Sequence, residues 1–584
     1  MTVSQEQLNS FYSHLIHEIM TIDTPTPTKI NSLKTKLAKK HKINSVVKNP
    51  QILGYAKTEE ERKKLIEIFN TKPIREASGV TVVALFAKPH SCPHGKCMYC
   101  PGGPDSPFGD TPQSYTGHEP AAMRAKRNMY DPYLQIFNRL EHYIANGHDP
   151  DKLELIFMGG TFPSLDKEYR DEFVRFVYKA INDFGDLFYD VSQEGKRIIR
   201  YDIFNEFFEM TKHFNSQDRQ IRVQDKMLAQ KESNDVRSLE EEIERNETAI
   251  IRSIGLTVET KPDWALESHC RDMLRYGCTR LEIGVQTLNE NCLKKTNRGH
   301  TLEETKKCFQ VAKDLCLKMN AHMMLGLPAS NLEIDEEGLT GLFEQEAYRP
   351  DMLKIYPCLV VDGTPLYKMY QMGKFEPITT EKAAQIIARS YSKFPRYVRV
   401  MRVQRDIPTT LVEGGVQKSN LRQYVDLEMK KLGTQSQDIR AREIGLRQLE
   451  GYETTSEFGI KVEEYNSSEG VDIFLDVVNE DDTLIGFTRL RFPKQTNLTP
   501  EIHDKTALIR ELHIYGQTIP VGAESEGDRV QHKGWGRKLI ERAEEIAKEK
   551  GYTKMVIISG VGVREYYKKL GYHKEGTYMV KSLR

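Results

Sequence analysis

Three cysteines lie within nine residues, in the segment Cys92-Pro-His-Gly-Lys-Cys97-Met-Tyr-Cys100. The segment directly follows the apolar run of residues 80–87, which has the length of a buried strand. Thiolates are strong ligands for zinc and for iron–sulfur clusters. The chain has nine cysteines in all, an odd number that is unlike a secreted disulfide framework. The spacing therefore indicates a metal centre on a loop.

Two kinds of metal centre fit this spacing. A closed zinc site needs four ligands, and His94 could add the fourth to the three thiolates. A four-iron cluster held by three cysteines instead leaves one iron free to bind a small molecule. We favour the cluster, because the strands that follow carry a second signal. We assign no chemistry to the remaining cysteines, which are Cys270, Cys278, Cys292, Cys308, Cys316 and Cys358.

The second signal consists of polar or flexible residues on two apolar runs. Gly159 and Gly160 precede Thr161, and consecutive glycines let the backbone approach a ligand, where free N–H groups suit a carboxylate. Glu282 lies inside an apolar run, where a buried carboxylate needs a cationic or hydrogen-bonding partner. The ammonium group of a cofactor would supply that partner, and so would a structural arginine.

These residues need a scaffold that brings strand ends together. Repeated alternation of apolar runs with helix-like sequence predicts a parallel sheet, with ligand sites at the carboxyl ends of its strands. The length of 584 residues predicts about three or four domains, and no apolar run approaches the roughly 20 residues of a membrane span. The six runs that predict buried strands are 80–87, 153–158, 254–259, 280–285, 321–325 and 352–356.

A second chemical motif lies near the C-terminus. Gln531, Gly534 and Gly536 form a glycine loop ahead of a predicted helix over residues 536–550. Loop amides and the positive end of the helix dipole then point at one place, which suits a pyrophosphate. Strand candidates surround this helix at 473–478, 484–490, 507–514 and 555–558. Tyr566 and Tyr567 follow, and they are either core aromatic residues or, for one of them, a catalytic phenol.

The flanking segments are rich in charge. Residues 1–90 contain 14 Lys and Arg against eight Asp and Glu, although the whole chain has no net charge. Helices over residues 5–20 and 30–41 would form a small basic domain there. Residues 186–248 interrupt the alternation of strands and helices, and we interpret them as a helical insertion with a solvated charged face.

The N-terminus lacks the features of a secretory signal, so we expect a cytoplasmic protein with free or metal-bound thiols.

The cysteine segment, the Gly-Gly turn and Glu282 together resemble a radical S-adenosylmethionine enzyme, although C-x3-C-x2-C is the common spacing there and C-x4-C-x2-C occurs here. The C-terminal order of strand, glycine loop, helix and tyrosines resembles the GNAT acetyltransferase fold. The pairing of the two resembles the catalytic subunit of Elongator, the tRNA uridine(34) acetyltransferase family, in its archaeal type. The matching segments are 92–103, 111–120, 158–162, 276–286, 296–300, 354–357, 402–408, 440–445, 509–516, 531–536, 559–562 and 566–572.

The resemblance implies an α/β protein: a partial (β/α)6 barrel radical S-adenosylmethionine domain, a basic helical N-terminal domain and a C-terminal GNAT domain. It implies a [4Fe-4S] cluster, S-adenosyl-L-methionine and acetyl-CoA. In the implied reaction, a 5′-deoxyadenosyl radical takes hydrogen from the acetyl methyl group, the carbon radical adds to C5 of the wobble uridine, and the thioester is hydrolysed to give 5-carboxymethyluridine. The implied partner is the anticodon loop of tRNA; a homodimer and the electron donor are left open.

The resemblance also carries roles over to individual residues. Cys92, Cys97 and Cys100 become the cluster ligands, and Lys152 becomes a contact of acetyl-CoA. Tyr567, or else Tyr566, becomes the group that protonates the leaving thiolate. Gly159, Gly160, Thr161 and Glu282 are the candidate cofactor contacts of the barrel. The acetyl-CoA site of the GNAT domain comprises Glu511, Leu512, His513, Ile514, Gln531, Gly534, Trp535, Gly536, Arg537 and Tyr567.

From these signals we expect a tRNA-binding domain over residues 1–75, the radical domain over 76–405, a junction over 406–450 and the GNAT domain over 451–584. We predict no zinc at the junction, since Gln435-Ser-Gln437 occupies a stretch where many relatives carry cysteine.

Two other functions remain open. One is a protein lysine acetyltransferase with a structural iron–sulfur domain, and the other is a tRNA-binding scaffold with a degenerate active site.

Overall fold

The computed structural model describes residues 3–44, 46–69, 79–212, 216–233, 236–452, 457–515 and 534–584. The chain divides into two compact units. The first comprises residues 1–83, 132–153 and 175–252, and the second comprises residues 84–131, 154–174 and 253–584. The four-part division expected from the sequence stays a prediction.

The N-terminal segment of the first unit is helical, as its apolar spacing predicts. Ser4 caps the first helix by accepting a hydrogen bond from the backbone N–H of Gln7, whose side chain accepts one in return. Phe11, Leu15 and Ile19 lie on one face of this helix and are fully buried. The helices are α1 (Gln5–Met20), α2 (Pro27–Lys40), α3 (Asn49–Gly54) and α4 (Glu59–Phe69).

The next part of the chain begins the β–α alternation. A strand precedes the cysteine loop, and a second strand leads to the Gly-Gly turn. The elements are β1 (Thr81–Phe86), α5 (Pro120–Arg127), α6 (Pro132–Ala145), β2 (Lys152–Met158) and α7 (Lys167–Phe188).

The insertion that follows is mainly helical, as expected, but its charged run is not simply a solvated face. Glu242 is fully buried, because its carboxylate accepts a 2.8 Å hydrogen bond from Asn182 and pairs with Arg245 at 3.2 Å. Phe204 and Phe208 pack against Phe188 in the same unit. The elements are β3 (Tyr189–Val191), β4 (Arg197–Ile199), α8 (Tyr201–Phe207), α9 (Gln217–Lys231) and α10 (Leu239–Asn246).

The β–α alternation then resumes and completes the larger sheet. No described helix is long and apolar enough to cross a membrane. The elements are β5 (Arg252–Thr260), α11 (Glu267–Arg275), β6 (Cys278–Gln286), α12 (Glu290–Lys295), α13 (Leu302–Asp314), β7 (Lys318–Leu325), α14 (Leu332–Glu344), β8 (Met352–Pro357), β9 (Val360–Val361), α15 (Pro365–Gln371), α16 (Thr380–Tyr391) and β10 (Arg399–Arg402).

The strands form a seven-stranded sheet in the order β1-β2-β5-β6-β7-β8-β10. The pairings from β5 through β8 to β10 are parallel. All six predicted strands are confirmed. The seventh, β10, escaped prediction because its four residues, Arg-Val-Met-Arg, lack a continuous apolar run. This architecture is the expected partial barrel, and it places the loops after β1, β2, β5 and β6 at one end.

A second mixed sheet forms the C-terminal part of the larger unit, after a junction of short elements. Its order is β12-β13-β14-β15-β16-β18-β17, and only the β15–β16 pair is parallel. The elements are β11 (Val412–Gly414), α17 (Leu421–Leu432), α18 (Ile439–Arg442), α19 (Ile444–Leu449), β12 (Gly459–Ser467), β13 (Gly470–Val478), β14 (Leu484–Phe492), β15 (Thr506–Ile514), α20 (Trp535–Glu549), β16 (Lys554–Ile557), α21 (Arg564–Lys568), β17 (His573–Glu575) and β18 (Tyr578–Ser582).

Within the larger unit, buried ion pairs join the two sheets. Arg510 of β15 donates to Asp351, the residue before β8, at 2.7 Å. Asp472 of β13 accepts from Lys313 of α13 at 3.0 Å, and Arg491 of β14 reaches Asp314 at 2.6 Å. Each of these side chains is no more than 1% exposed. Such pairs offset the cost of burying charge only while all partners are present.

Candidate active site

The three predicted cluster ligands lie on the loop that follows β1. Cys97 and Cys100 are buried, and Cys92 is half-buried. All three line one cavity, which opens at the carboxyl ends of the barrel strands. The strand residues that line it include Glu259, Glu282, His322 and Tyr356, and Gly160 of the turn after β2 lines it as well.

Each sulfur atom has a polar neighbour. The backbone N–H of Ser114 donates to the sulfur of Cys100 at 3.2 Å, and Nη1 of Arg298 donates to the sulfur of Cys97 at 3.6 Å. Burial raises the pKa of Cys92 and raises that of Cys100 to about 11. The bare thiols of Cys92 and Cys100 therefore stay protonated at neutral pH, and a bound metal is what would hold these two as thiolates.

His94 is occupied by two neighbours in the same cavity. Nζ of Lys261 lies 3.0 Å from its Nδ1 atom, and the sulfur of Cys97 lies 3.2 Å from its Nε2 atom. An ammonium group can only donate, so Nδ1 accepts and Nε2 carries the proton toward the sulfur. Burial, together with Lys261 and Arg298, lowers the pKa of His94 to about 3. This arrangement does not present His94 as a fourth zinc ligand.

The cavity fits an anionic cluster with a bound cofactor. The guanidinium of Arg298 is buried, and its Nε atom has no hydrogen-bond partner among the described residues. A negatively charged cluster or a ligand carboxylate would satisfy such a donor. In the described part of the chain, no three His, Cys, Asp or Glu side chains converge on a single ion position. A four-iron cluster needs no such convergence, since each cysteine binds a different iron.

The Gly-Gly turn lies against the cysteine loop. Gly159 and Gly160 have φ angles of +110° and +103°, in the region that favours glycine. A Cβ atom on Gly160 would lie 2.8 Å from Cβ of Gln113 and 3.7 Å from the sulfur of Cys92. The hydroxyl of Thr161 lies 3.6 Å from that same sulfur. The turn is thus placed beside the predicted ligands, and its contact with S-adenosylmethionine stays a prediction.

Glu282 has protein partners for its carboxylate. Lys354 contacts Oε2, and Nε2 of His322 lies 3.0 Å from the same atom. Although burial alone would raise its pKa, Lys354 and His322 hold the pKa of Glu282 well below the usual value. The partners that the sequence left open are therefore Lys354 and His322, with Arg280 a more distant one at 3.9 Å. A role for Glu282 in binding the cofactor stays a prediction.

Several cavity residues were missed by the sequence analysis. Arg298 falls in a segment quoted only for its resemblance, where the polar run Thr296-Asn-Arg-Gly-His was the available signal. Glu259 ends the predicted strand 254–259, and its carboxylate accepts a 3.1 Å hydrogen bond from the buried hydroxyl of Tyr115. Burial and the nearby Glu282 raise the pKa of Glu259 to about 7. A carboxylate at the end of an apolar run was the signal in this case.

The predicted acetyl-CoA strand is β15, which separates from β16 partway along its length. The two strands pair from Thr506 to Ile509 only, while β15 continues to Ile514. The register of the pairing between β15 and β14 also shifts at Arg510, which is the extra residue of a β-bulge. Among the described residues, the backbone of residues 510–514 therefore has no strand partner on the β16 side, where a pantetheine chain can bond to it. Leu512 and Ile514 pack partly against the core of this sheet.

Glu511 and His513 are polar side chains of β15 at this opening. Glu511 accepts a 2.8 Å hydrogen bond from Nε of Arg489 and lies 4.0 Å from Nζ of Lys318. Burial would raise its pKa, but Lys318 and Arg489 lower it below the usual value. Burial lowers the pKa of His513 to about 4, so its ring is neutral at neutral pH.

The start of α20 lies next to this strand. Gly534 precedes the helix with a φ angle of +73°, and Trp535, Gly536 and Arg537 form its first turn. No side chain in the described part of the chain caps the helix, so its first N–H groups are available to an anion. A Cβ atom on Gly536 would lie 2.8 Å from the hydroxyl of Tyr566 and 3.7 Å from Ile514. Gln531 lies outside the described residues.

The two tyrosines differ in their environments. Tyr567 is buried at 5% exposure, whereas Tyr566 is 38% exposed. Burial, with Tyr566 and Cys316 nearby, raises the pKa of Tyr567, which keeps its hydroxyl protonated at neutral pH. A protonated phenol is the state that a general acid needs. Lys152, the last predicted contact, begins β2 and lies 3.7 Å from the carboxylate of Asp151. Its contact with acetyl-CoA stays a prediction.

Comparison with known families identifies the class of protein first. Residues 219–337 match the Radical SAM superfamily, and residues 350–431 match the Radical_SAM C-terminal domain. Residues 8–77 match the ELP3 N-terminal domain, and residues 441–572 match the acetyltransferase (GNAT) family. The chain is thus a radical S-adenosylmethionine protein that carries a GNAT domain.

Relatives along nearly the whole chain then define the particular family. The tRNA uridine(34) acetyltransferase of Methanocaldococcus jannaschii is 43% identical over 95% of this chain and 94% of its own. Elongator complex protein 3 of Homo sapiens is 39% identical over 95% of this chain and 93% of its own. The solved structure of archaeal Methanocaldococcus infernus Elp3 with an N-terminal deletion matches with a TM-score of 0.68 and 35% identity, covering 86% of this chain and 99% of that one. The chain belongs to this tRNA uridine(34) acetyltransferase and Elongator complex protein 3 family.

Proposed function

We propose that this chain modifies the wobble uridine of tRNA, using acetyl-CoA and S-adenosylmethionine to form 5-carboxymethyluridine. The single observation that carries the proposal is the cavity in which three cysteines meet the buried Nε atom of Arg298, which has no hydrogen-bond partner among the described residues. The same chain has a GNAT strand, β15, that extends beyond its pairing with β16. When bound, a [4Fe-4S] cluster supplies the electron that splits S-adenosylmethionine. Neither the acetyl methyl group nor C5 of uridine reacts readily by polar chemistry at neutral pH, which is why a radical is needed.

The residues of the chain have separate tasks in this proposal. Cys92, Cys97 and Cys100 would hold the cluster, while the amides of the Gly-Gly turn would bind the carboxylate of S-adenosylmethionine. The first turn of α20 would bind the pyrophosphate of acetyl-CoA, and the unpaired edge of β15 would bind its pantetheine chain. Tyr567 would donate a proton to the thiolate that leaves on hydrolysis.

The N-terminal helices would hold the tRNA through its phosphates. Lys36, Lys39, Lys40 and Lys42 are exposed. Lys34, the fifth lysine of this cluster, is instead half-buried, bonded to Asn49 with its Nζ atom 5.3 Å from the ring centre of Phe69. Four exposed cations near one another suit a nucleic-acid backbone. We propose the anticodon loop as the recognised part, with the target base flipped into the barrel cavity.

Other parts of the proposal concern the setting of the reaction. All nine cysteines are free thiols, as a reducing compartment requires, so we place the reaction in the cytoplasm. The electron donor would be a separate protein, and a homodimer would be compatible with the proposal.

The test is mass spectrometry of tRNA nucleosides after incubation with reconstituted protein, acetyl-CoA, S-adenosylmethionine and a reductant. We expect 5-carboxymethyluridine in the complete mixture and none without S-adenosylmethionine. Acetylated lysine in added peptides, with unmodified tRNA, would favour the lysine acetyltransferase instead. Bound but unmodified tRNA, with no product of either kind, would favour the scaffold.

A further inference from the structure

The interior of the partial barrel is lined by ionisable side chains, where such barrels are usually filled by branched apolar residues. Backbone register places Arg280 beside Lys318, Glu282 beside both Glu259 and Asn320, and His322 beside Lys354. Residues directly opposite each other in a parallel pair lie on the same face of the sheet.

Contacts between strands that are not neighbours show that this face is the concave one. Arg280 of β6 pairs with Glu154 of β2, although β5 lies between the two strands. Glu282 of β6 contacts Lys354 of β8 across β7. Side chains can meet over an intervening strand only inside the curve of the sheet. We call this set of inward-facing residues, Glu154, Arg280, Glu282, Lys318, Asn320, His322 and Lys354, the polar lumen.

The polar lumen connects the two candidate sites. At its upper end, Glu282 and His322 line the cavity of the cysteine loop. At its lower end, Lys318 lies 4.0 Å from Glu511 on the open stretch of β15. From Lys318 to His322 the strand rises about 13 Å, at roughly 3.3 Å per residue. The polar side chains of the lumen thus extend from the acetyl-CoA strand to the radical cavity.

Two atoms within the lumen lack partners. Nε of Arg280 and Oδ1 of Asn320 have no hydrogen-bond partner among the described residues, although Arg280 is 7% exposed and Asn320 is 0% exposed. One atom is a donor and the other an acceptor. A secondary amide supplies the complementary acceptor and donor in a single group. Buried polar atoms of this kind otherwise call for an ordered water.

We infer that the polar lumen binds an amide-bearing acyl thioester chain, and that through it the acyl end of acetyl-CoA passes from β15 to the cysteine cavity. The inference rests on the proposed function, because only a radical reaction on the acetyl group requires both sites to act on one molecule. Arg280 and Asn320 bind an amide of the pantetheine chain when the acyl end has advanced into the lumen.

The first test uses photo-crosslinking and needs no cluster. The full-length protein is irradiated with an acyl-CoA that carries a diazirine in a short acyl chain, and adducts are mapped by peptide mass spectrometry. We expect adducts within Cys278–Gln286 and Lys318–Leu325, suppressed by excess acetyl-CoA. Adducts confined to β15 and α20 would overturn the inference and leave a lumen filled by water. This experiment does not depend on tRNA modification.

Variants of β7 supply the control. Asn320→Leu keeps the side-chain size but removes the amide, and we expect at least tenfold fewer lumen adducts. Met319→Leu changes the next residue, which faces away from the lumen, and should leave the adducts unchanged. Equal adduct yield in Asn320→Leu would overturn the role of this residue. If that variant fails to fold, as judged by circular dichroism, the wild-type adduct map still decides the inference.

A second test follows the reaction itself. Reconstituted protein receives acetyl-CoA with a deuterated methyl group, and deuterium is measured in the 5′-deoxyadenosine product. We expect transfer in wild type, at least a tenfold loss in Asn320→Leu, and undiminished transfer in the control Met319→Leu. Undiminished transfer in the variant would overturn the inference alone, whereas no transfer in wild type would count against the proposed function.

Discussion

Arg510 of β15 and Asp351, just before β8, form a buried ion pair in which Nη1 lies 2.7 Å from Oδ2. Both side chains are 0% exposed. Arg510→Met leaves Asp351 buried without its main partner, so we expect a loss of about 3–5 kcal/mol in the free energy of unfolding. Denaturant unfolding measures the loss. The matched control is Arg271→Met, which removes an exposed pair with Glu267 and should cost less than about 1 kcal/mol. Equal losses in both variants would contradict the prediction.

The cysteine loop predicts a defined iron content. Anaerobic reconstitution of the wild type should give about four irons per chain. Replacing any one of Cys92, Cys97 and Cys100 by alanine should lower the iron content to below about one and abolish cleavage of S-adenosylmethionine. Cys308→Ala, in a buried cysteine of α13, should keep the full iron content. Stoichiometric zinc in place of iron in the wild type would exclude the cluster.

Tyr567 and Gly536 separate catalysis from binding in the GNAT domain. Tyr567→Phe removes the buried hydroxyl, and we expect acetyl-CoA hydrolysis to slow by roughly 10²–10⁴-fold with little change in Kd. Gly536→Asp puts a side chain against Tyr566 and a negative charge where the pyrophosphate binds, so it should weaken binding first. Hydrolysis rates and calorimetric Kd values give the comparison. Tyr566→Phe is the control, and a larger effect there would transfer the role to Tyr566.

Glu259 predicts a pH dependence of stability. Its pKa rises from 4.5 to about 7 in the folded protein, mainly through burial and also through Glu282. Between these values the folded state holds a proton that the unfolded state has lost, so the free energy of unfolding falls as pH rises. Glu259→Gln cannot ionise, and relative to the wild type it should gain about 1–3 kcal/mol between pH 4.5 and pH 8. Urea unfolding across that range is the measurement. Parallel curves would contradict the prediction, and Glu541→Gln on the exposed face of α20 is the control.

The exposed lysines of the N-terminal helices predict a salt-dependent affinity for tRNA. Each phosphate contact contributes about −0.7 to −0.9 to the slope of log affinity against log salt. Replacing Lys36, Lys39, Lys40 and Lys42 by glutamine should therefore weaken binding and make that slope shallower by up to about 3. Filter binding over a salt series measures both quantities.

Four exposed lysines of the GNAT domain give a matched control for this set. Their replacement changes the net charge equally but should leave the slope unchanged, and an equal effect of both sets would indicate a diffuse charge effect. The control residues are Lys548, Lys568, Lys569 and Lys574.

The strands of the barrel were predictable because each is a continuous apolar run. All six candidates are strands, and the four candidates of the C-terminal sheet are strands as well. β12 was missed because its sequence, Gly-Ile-Lys-Val-Glu-Glu-Tyr-Asn-Ser, is polar and lies at the edge of the sheet. The buried Glu242 was mistaken for part of a solvated run, because its partner Asn182 is 60 residues away in sequence.

The cysteine loop, the Gly-Gly turn and the start of α20 could be found from the sequence, since each is a short local pattern. The partners of Glu282 could not, because His322 and Lys354 lie 40 and 72 residues further along the chain. Only the pairing of β6 with β7 and the curvature of the sheet bring them together. The contact between Lys318 and Glu511 could not be predicted either. These residues belong to two different sheets, and no local sequence pattern indicates that the sheets pack together.

The buried ion pairs between the two sheets have an evolutionary consequence. A gene fragment encoding residues 451–584 alone would expose Arg491, Arg510 and Asp472 without the partners that Asp314, Asp351 and Lys313 provide. Such a fragment is a poor candidate for exchange between genes. Substitutions on either side of the contact are therefore expected to be compensated by substitutions on the other side.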